Sequence, residues 1–371
     1  MILGQEKTID LNVIEIGIAS TEEEKQAIYH LRYHIYAEEI AFKLVTVDHI
    51  NRLLYDDLDE WCTLFYAKVD SQMVGTVRVN IGKFNDFPPD IAEAFHMNRF
   101  QKFYKKNELR PFAFASKGMV HSAFRRLPVF TNLMSKVFEL YCNEKIHFAF
   151  GNSNFHLLPL HEHYGHRRIG KNIVEPNLGL MASFVMMPDD MNHLQAVRSP
   201  FLEIARNKRK VQNNQLVDWF HSEFPEVKTI INSQLVNKES FWDNLCTRLG
   251  NLPHKTMSVL KGLNEIEAQK FLHRCGVIIQ CSKGDYILSN LDASQELNIL
   301  LKGTLSSASP GSAGIRPGQH FGGNGLVERS RHLSSIVAET DAEILVLSYH
   351  FFLKFRREFP HTAYKIIANL K

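Results

Sequence analysis

The chain has no Cys-x-x-Cys pair, and its cysteines (Cys62, Cys142, Cys246, Cys275 and Cys281) are few and odd in number. That argues against a disulfide framework and a cysteine zinc site, and fits a reducing compartment. No charged segment followed by an apolar stretch opens the sequence, so secretion by a signal peptide is not expected. The longest apolar stretch, 178–187, is too short to span a bilayer. The expectation is a cytoplasmic protein with no transmembrane segment. Charge of one sign is also scarce: 43 Lys and Arg against 40 Asp and Glu leave +3. The one dense basic run, 206–210, reads as the solvated face of a helix, so no nucleic-acid partner is expected. There is no internal repeat or low-complexity tract.

What remains is an ordinary globular composition, 44% apolar and 22% charged, on 371 residues, enough for two or three domains. Val13 to Ala19 alternates like a half-buried strand. Ser20-Thr21 before Glu22, Glu23 and Glu24 reads as a capped helix start, and Ile28, Leu31, Arg32, Ile35 and Tyr36 recur at helical spacing. Strands follow at 62–68 and 74–79, joined by a turn-length link. After the Phe87-Pro88-Pro89-Asp90 turn, a helix is expected over 91–104 and a strand over 112–121. Residues 127–144 form an amphipathic helix, with strand 147–151, helix 155–164 and strand 180–186 after it. This order is that of an α/β mixed sheet with flanking helices. Residues 190–270 read as helical. From Ile278, short strands and glycine turns (Gly284, Gly303, Gly318, Gly322 and Gly323) predict a small β-barrel or jelly roll, with helices from Tyr349. The boundaries fall at 1–190, 191–254 and 255–371.

Four charged residues stand out within fifty positions: Arg32 on the first helix, Asp56 and Asp59 in an acidic knot, and Arg78 in a strand. Two readings fit them. One is a surface ion-pair network. The other is an acyl-transfer site, where carboxylates orient an ammonium group and arginines hold the carboxylates or a substrate carboxylate. The run Leu31-Arg32-Tyr33-His34-Ile35-Tyr36-Ala37-Glu38-Glu39, then Asp56-x-x-Asp59, then Gly75-x-x-Arg78 resembles the GNAT acyltransferase superfamily. More narrowly it is similar to the branch of autoinducer synthases and N-acyl amino acid synthases. The stretches Pro188 to Leu194 and Arg198-Ser199-Pro200-Phe201 also look like the tail of the latter group. The resemblance implies a GNAT fold, no tightly bound cofactor, an acyl thioester donor and an amine acceptor, with Arg32, Asp56, Asp59 and Arg78 in the site.

Two departures from the superfamily are visible. The loop that cradles coenzyme A pyrophosphate in such enzymes carries glycines, whereas here it reads Arg125-Arg126-Leu127-Pro128-Val129-Phe130. Proline removes one amide and Phe130 crowds the phosphates. This favours acyl carrier protein as donor, as in the similar branch. Arg125 and Arg126 then either meet an acidic carrier or form a plain solvated pair. The usual tyrosine acid is replaced, on the family's spacing, by His161 in His161-Glu162-His163-Tyr164-Gly165. His161 is either an acid near neutral pH or a buried structural histidine. No metal is expected, because His-Glu-x-x-His would need histidine at 165.

The C-terminal segment resembles a cyclic nucleotide-binding domain. The resemblance rests on Gly284-Asp285-Tyr286-Ile287, Leu300-Leu301-Lys302-Gly303, Pro317-Gly318-x-x-Phe321-Gly322 and Ala338-x-Thr340-Asp341-Ala342. In such domains a glutamate after Phe-Gly holds the ribose and an arginine pairs with the cyclic phosphate. Here those positions are Gly323 and His332, with Arg331 one residue early. Ordinary cyclic nucleotide affinity is therefore expected to be lost, leaving a degenerate pocket (Gly322, Gly323, Arg331 and His332) on a module for oligomerisation, such as a homo-oligomer, or for interaction. Taken together, the expected function is transfer of a long acyl chain from an acyl carrier protein or coenzyme A thioester to a small-molecule amine such as an amino acid. The alternatives are a coenzyme A-dependent acetyltransferase and a catalytically inactive sensor or scaffold.

Overall fold

The computed structural model describes residues 14–39, 47–105, 110–175, 179–307, 314–328 and 330–370. Helix α1 (Glu22–Tyr33) starts where the sequence places it. Thr21 Oγ1 accepts the Glu24 amide at 3.2 Å, and three glutamates occupy the positive end of the helix dipole. A π-helical turn, His34–Glu39, extends it.

Strands β1 (Ile14–Ile18), β2 (Thr63–Val69), β3 (Gln72–Gly82) and β4 (Phe112–Val120) pair antiparallel in that order. Asp70 and Ser71 both take positive φ, the conformation a two-residue β2–β3 hairpin turn requires. Strand β5 (Ala149–Ser153) then joins β4 in parallel, through only Ala113↔Ala149 and Phe114↔Phe150. Beyond that point β4 keeps its bonds to β3, while β5 pairs antiparallel with β8 (Gly179–Met186). The two strands part and leave a fork in the middle of the sheet. Two short strands, β6 (Arg167–Arg168) and β7 (Ile173–Glu175), also pair with β8. They lie in what reads as a connection, because two or three residues are too few to carry a pattern of their own.

The expected helix 91–104 is two short helices, α2 (Pro89–Ala94) and α3 (Met97–Gln101), since His96 between them takes a left-handed φ of 52°. Helix α4 (Val129–Asn143) covers one face of the sheet, burying Val129, Leu133, Val137 and Phe138 on Val74, Val77 and Val79. An aromatic core fills the other face. There Phe95, Phe100, Phe112, Phe148 and Phe150 meet Phe220 and Phe224.

Helix α5 (Leu158–Tyr164) follows β5 through a 3-10 turn, Phe155–Leu157. After β8 come α6 (Met191–Ala196), α7 (Leu202–Arg209), α8 (Asn214–Glu223), α9 (Lys238–Leu249), α10 (Pro253–Thr256) and α11 (Glu265–Cys275). The C-terminal strands are β9 (Gly276–Cys281), β10 (Tyr286–Leu288), β11 (Ala293–Ser294), β12 (Glu296–Lys302), β13 (Leu305–Ser307), β14 (His320–Phe321), β15 (Ser330–Arg331), β16 (Ile336–Ala338) and β17 (Ala342–Ser348). One sheet runs β14-β12-β17-β9 and another β10-β16-β13, with β11 and β15 paired separately. This is the jelly roll read from the glycine turns. Among the described residues its sheets are not hydrogen-bonded into a closed barrel. Helices α12 (Tyr349–Glu358) and α13 (Pro360–Asn369) end the chain. Among the described residues no helix is long and apolar enough to cross a membrane.

The jelly roll does not stand apart from the first sheet. Phe155, Leu158, Leu180, Ala182 and Phe184 share one buried core with Val277, Ile279, Ile287, Leu288 and Phe321. Arg168 ties the seam. Its Nε meets Glu162 Oε1 at 3.0 Å, Nη1 donates to the Ile278 carbonyl at 2.8 Å, and Nη2 donates to the Ile231 carbonyl. Both side chains of the Arg168–Glu162 pair are nearly buried, so removing Arg168 leaves the Glu162 charge in the seam with only the Ser233 amide and hydroxyl as partners. Arg168→Ala is expected to lower stability by about 3–5 kcal/mol. Urea unfolding checks this, and a loss below about 1 kcal/mol, the range of an exposed pair, would contradict it.

Candidate functional site

The spacing Asp56-x-x-Asp59 builds a capping box on the 3-10 turn Asp57–Trp61. Asp56 Oδ1 accepts the Leu58 amide at 3.1 Å, and Asp59 Oδ2 accepts the Asp56 amide at 3.0 Å. The box turns both carboxylates toward the arginines. Arg32 Nη1 meets the two Asp59 oxygens at 2.8 and 2.9 Å, and Arg78 Nη1 reaches Asp59 Oδ2 at 3.0 Å. Arg78 Nη1 also donates to Asp56, and its Nε to Ser116 Oγ at 3.0 Å. The structure thus brings together all four residues read from the sequence.

Their exposures separate them. The side chains of Arg32, Asp59 and Arg78 are 0%, 3% and 3% exposed, but Asp56 is 39% exposed. Asp59 is a buried pivot between two guanidinium groups, and Asp56 faces outward. Lys117 Nζ lies 3.4 Å from Asp56 Oδ2. Burial disfavours the Asp56 charge, but Arg78 and Lys117 outweigh it and hold the carboxyl below its usual range. Burial also lowers the Lys117 pKa.

Lys117 stands at the mouth of the fork. Between Thr76↔Met119 and Arg78↔Ser116, β4 has two residues, Lys117 and Gly118, opposite the single Val77. This is a β-bulge, with Lys117 at a left-handed φ of 52°. Across the fork, Asn152 on β5 donates to Glu175 Oε2 on β7 at 3.2 Å. Burial raises the Glu175 pKa above the ordinary carboxylate range, against the charges of Lys117 and Arg78 and the bond from Asn152. Tyr36 completes the group. Burial pushes its hydroxyl up to about 12, and it feels the charges of Arg32, Glu175, Arg78 and Asp56. Lys117 Nζ is 5.8 Å from its ring centre. Lys117, Asn152 and Glu175 were not singled out from the sequence. The one available signal was Lys117-Gly118 inside a strand, where glycine marks a bulge.

The other wall of the fork is aromatic. A methyl on Gly118 would lie 3.1 Å from the Phe130 ring, and one on Gly151 would lie 2.7 Å from the Phe184 ring. His161 stacks on Phe184 with ring centres 4.7 Å apart, and lies 6.2 Å from Phe130. Burial and the neighbouring His166 hold His161 well below the usual histidine pKa, so it is neutral at pH 7. It therefore has no imidazolium proton to give. Its Nδ1 is buried with no hydrogen-bond partner among the described residues. Tyr164, one turn on, shares a 2.8 Å hydrogen bond with Thr131 Oγ1.

The loop before α4 does not form a glycine cradle. Pro128 is the N-cap, and the Leu127 amide already donates to the Phe124 carbonyl at 3.0 Å. Arg125 Nη1 meets Glu39 Oε1 at 2.7 Å and its Nε donates to the Val120 carbonyl, while Arg126 is exposed. Among the described residues no group of three or more His, Cys, Asp or Glu side chains suits a metal ion.

In the C-terminal pocket His332 is buried and its Nδ1 accepts the Gly323 amide at 3.0 Å. Gly322 needs its φ of +85°, and a Cβ there would meet Leu288 at 2.6 Å. Arg331 is turned to the rim, where Nη1 donates to the Leu291 carbonyl.

Residues 31–135 match the family model of the acetyltransferase (GNAT) domain, and residues 278–359 that of the cyclic nucleotide-binding domain. No curated protein matches the sequence significantly. Among solved structures, FeeM, an N-acyl amino acid synthase from uncultured soil microbes, is 10% identical, with 52% of this chain and 97% of that one covered and a TM-score of 0.39. A cyclic nucleotide-binding domain from Methylobacillus flagellatus is 15% identical over 37% of this chain and 77% of its own, with a TM-score of 0.30. The Thermus thermophilus catabolite activator protein is 26% identical over 30% of this chain and 56% of its own, with a TM-score of 0.27. The chain therefore joins an acyltransferase domain of the GNAT family to a cyclic nucleotide-binding domain.

Proposed function

We propose that the chain transfers a long acyl chain from a carrier-protein thioester to the amine of an amino acid. The observation that carries this reading is the fork between β4 and β5. Asp56, Lys117 and Glu175 form its polar wall, and Phe130 and Phe184 its apolar wall. A thioester chain needs the second and an ammonium acceptor the first.

In this reading Glu175 takes a proton from the ammonium group, directly or through one water. The freed lone pair attacks the thioester carbonyl carbon. The C–N bond forms, the C–S bond breaks, and the thiolate leaves with a proton returned from Glu175. The second ammonium proton passes to water. Lys117 supplies positive charge to the developing oxyanion, and a low-dielectric wall strengthens that attraction. Arg32, Asp59 and Arg78 act by positioning, because Asp59 is buried between the two arginines. Phe130 against Gly118 and the missing glycine cradle support a carrier protein over coenzyme A, and exposed Arg126 offers it a positive contact.

The direct test offers the purified chain long-chain acyl carrier protein or acyl coenzyme A with a panel of amino acids, read by mass spectrometry. An N-acyl amino acid from the carrier-protein donor is expected. Product from coenzyme A alone would overturn the donor, and no product from any pairing would overturn the function. Glu175→Gln is expected to lower kcat by about 100-fold or more. Because burial raises the Glu175 pKa, the acidic limb of the wild-type rate profile should lie above the ordinary glutamate range. A folded-state pKa above the unfolded value means that ionisation costs stability at neutral pH, so Glu175→Gln should melt no lower than wild type. The two aspartates should part company in urea unfolding. Asp59→Ala is expected to cost about 3–5 kcal/mol by stranding the buried Arg32 guanidinium and leaving Arg78 with only Asp56 and Ser116, whereas half-exposed Asp56→Asn should cost under about 1 kcal/mol. Equal losses would contradict the division into pivot and site.

A further inference from the structure

One carboxylate lies between the two domains with a histidine from each. Glu296 opens β12, and its side chain is 13% exposed. His156 Nδ1 is 3.2 Å from Glu296 Oε2, and His332 Nε2 is 3.6 Å from Oε1. His332 is anchored on its far side. His332 occupies the position where the family resemblance places the phosphate-pairing arginine. Its ring accepts the Gly323 amide, and its own amide donates to the Asp292 carbonyl at 3.0 Å. His156 sits in the 3-10 turn Phe155–Leu157, three residues beyond the end of β5, and this turn packs on β9, β17 and α12. The other titratable groups near the cluster are His350 at the start of α12, which burial keeps neutral at pH 7, Lys354, Asp292 and Arg331.

Two features follow from this placement. A carboxylate of the chain itself faces His332, the position where the resemblance places the phosphate-pairing arginine. A path of short contacts also runs from the pocket to the fork, from His332 through Glu296 and His156 to β5. Four residues before His156, Asn152 on β5 holds Glu175.

We propose that Glu296 acts as an internal anion that fills the C-terminal pocket and, through His156, fixes the end of β5, so that pocket and fork behave as one unit. Loss of the carboxylate frees the Gly322–Gly325 loop and lets Asn152 and Glu175 shift together. The effect on catalysis rests on the acyl-transfer reading, but the linkage itself does not.

Hydrogen exchange on the full chain without substrates separates the two. Glu296→Gln keeps the shape and removes the charge. It is expected to speed exchange at least tenfold in peptides covering 149–157 and 320–332, with α13 unchanged. Exchange that rises in 320–332 alone would overturn the linkage. His156→Gln approaches the same contact from the other domain and should loosen both segments too. It decides the matter should Glu296→Gln fail to fold. Cyclic AMP added to wild type should leave exchange at 320–332 unchanged, and protection there would overturn the internal anion. If exchange responds as expected while no acyl product forms in any assay, the linkage stands and the acyl-transfer reading falls.

Discussion

The Asp59 carboxylate holds two guanidinium groups, Arg32 from the first helix and Arg78 from the third strand, in a place with almost no water. Without it the two charges would repel each other at low dielectric, where unscreened charge is most costly. The capping box makes this possible. It points Asp59 inward and leaves Asp56 at the opening, so two carboxylates three residues apart have different surroundings. The position of β3 relative to α1, and with it the rim of the fork, depends on this contact.

The fork has a simple physical cause. Strands β4 and β5 share only two residue pairs, after which each continues with a different neighbour. The bulge at Lys117 and Gly118 bends β4 away, and the rings of Phe130 and Phe184 lie close against Gly118 and Gly151, where no side chain occupies the space. A polar wall and an apolar wall face one opening. The same β8 that carries Phe184 packs on the jelly roll, so the second domain buttresses the first beside the fork.

Much of this was legible beforehand. Arg32, Asp56, Asp59 and Arg78 stood out as charges within fifty positions, but the residues alone left a surface ion-pair network equally open, and it was the resemblance to the GNAT superfamily that grouped them as a site. The strands β1 to β5, helix α4 and the jelly-roll turns could be read from periodicity and turn chemistry. Glu175 could not, since β7 exists only because β8 offers it a partner, and three residues carry no pattern. Lys117 was hidden inside an otherwise regular strand. His161 was found, but its neutral state comes from burial against Phe184 and His166, which no local motif announces. The seam through Arg168 and Glu296 joins residues more than a hundred apart and was equally silent.

The central claim is that the fork between β4 and β5 is where acyl transfer takes place. A crystal structure of the full chain with a non-hydrolysable acyl thioether of pantetheine tests it most directly. The account predicts density for the thioether between Lys117 and Glu175, with the acyl chain against Phe130 and Phe184. Density for the ligand at any other surface, with the fork unchanged, would contradict it.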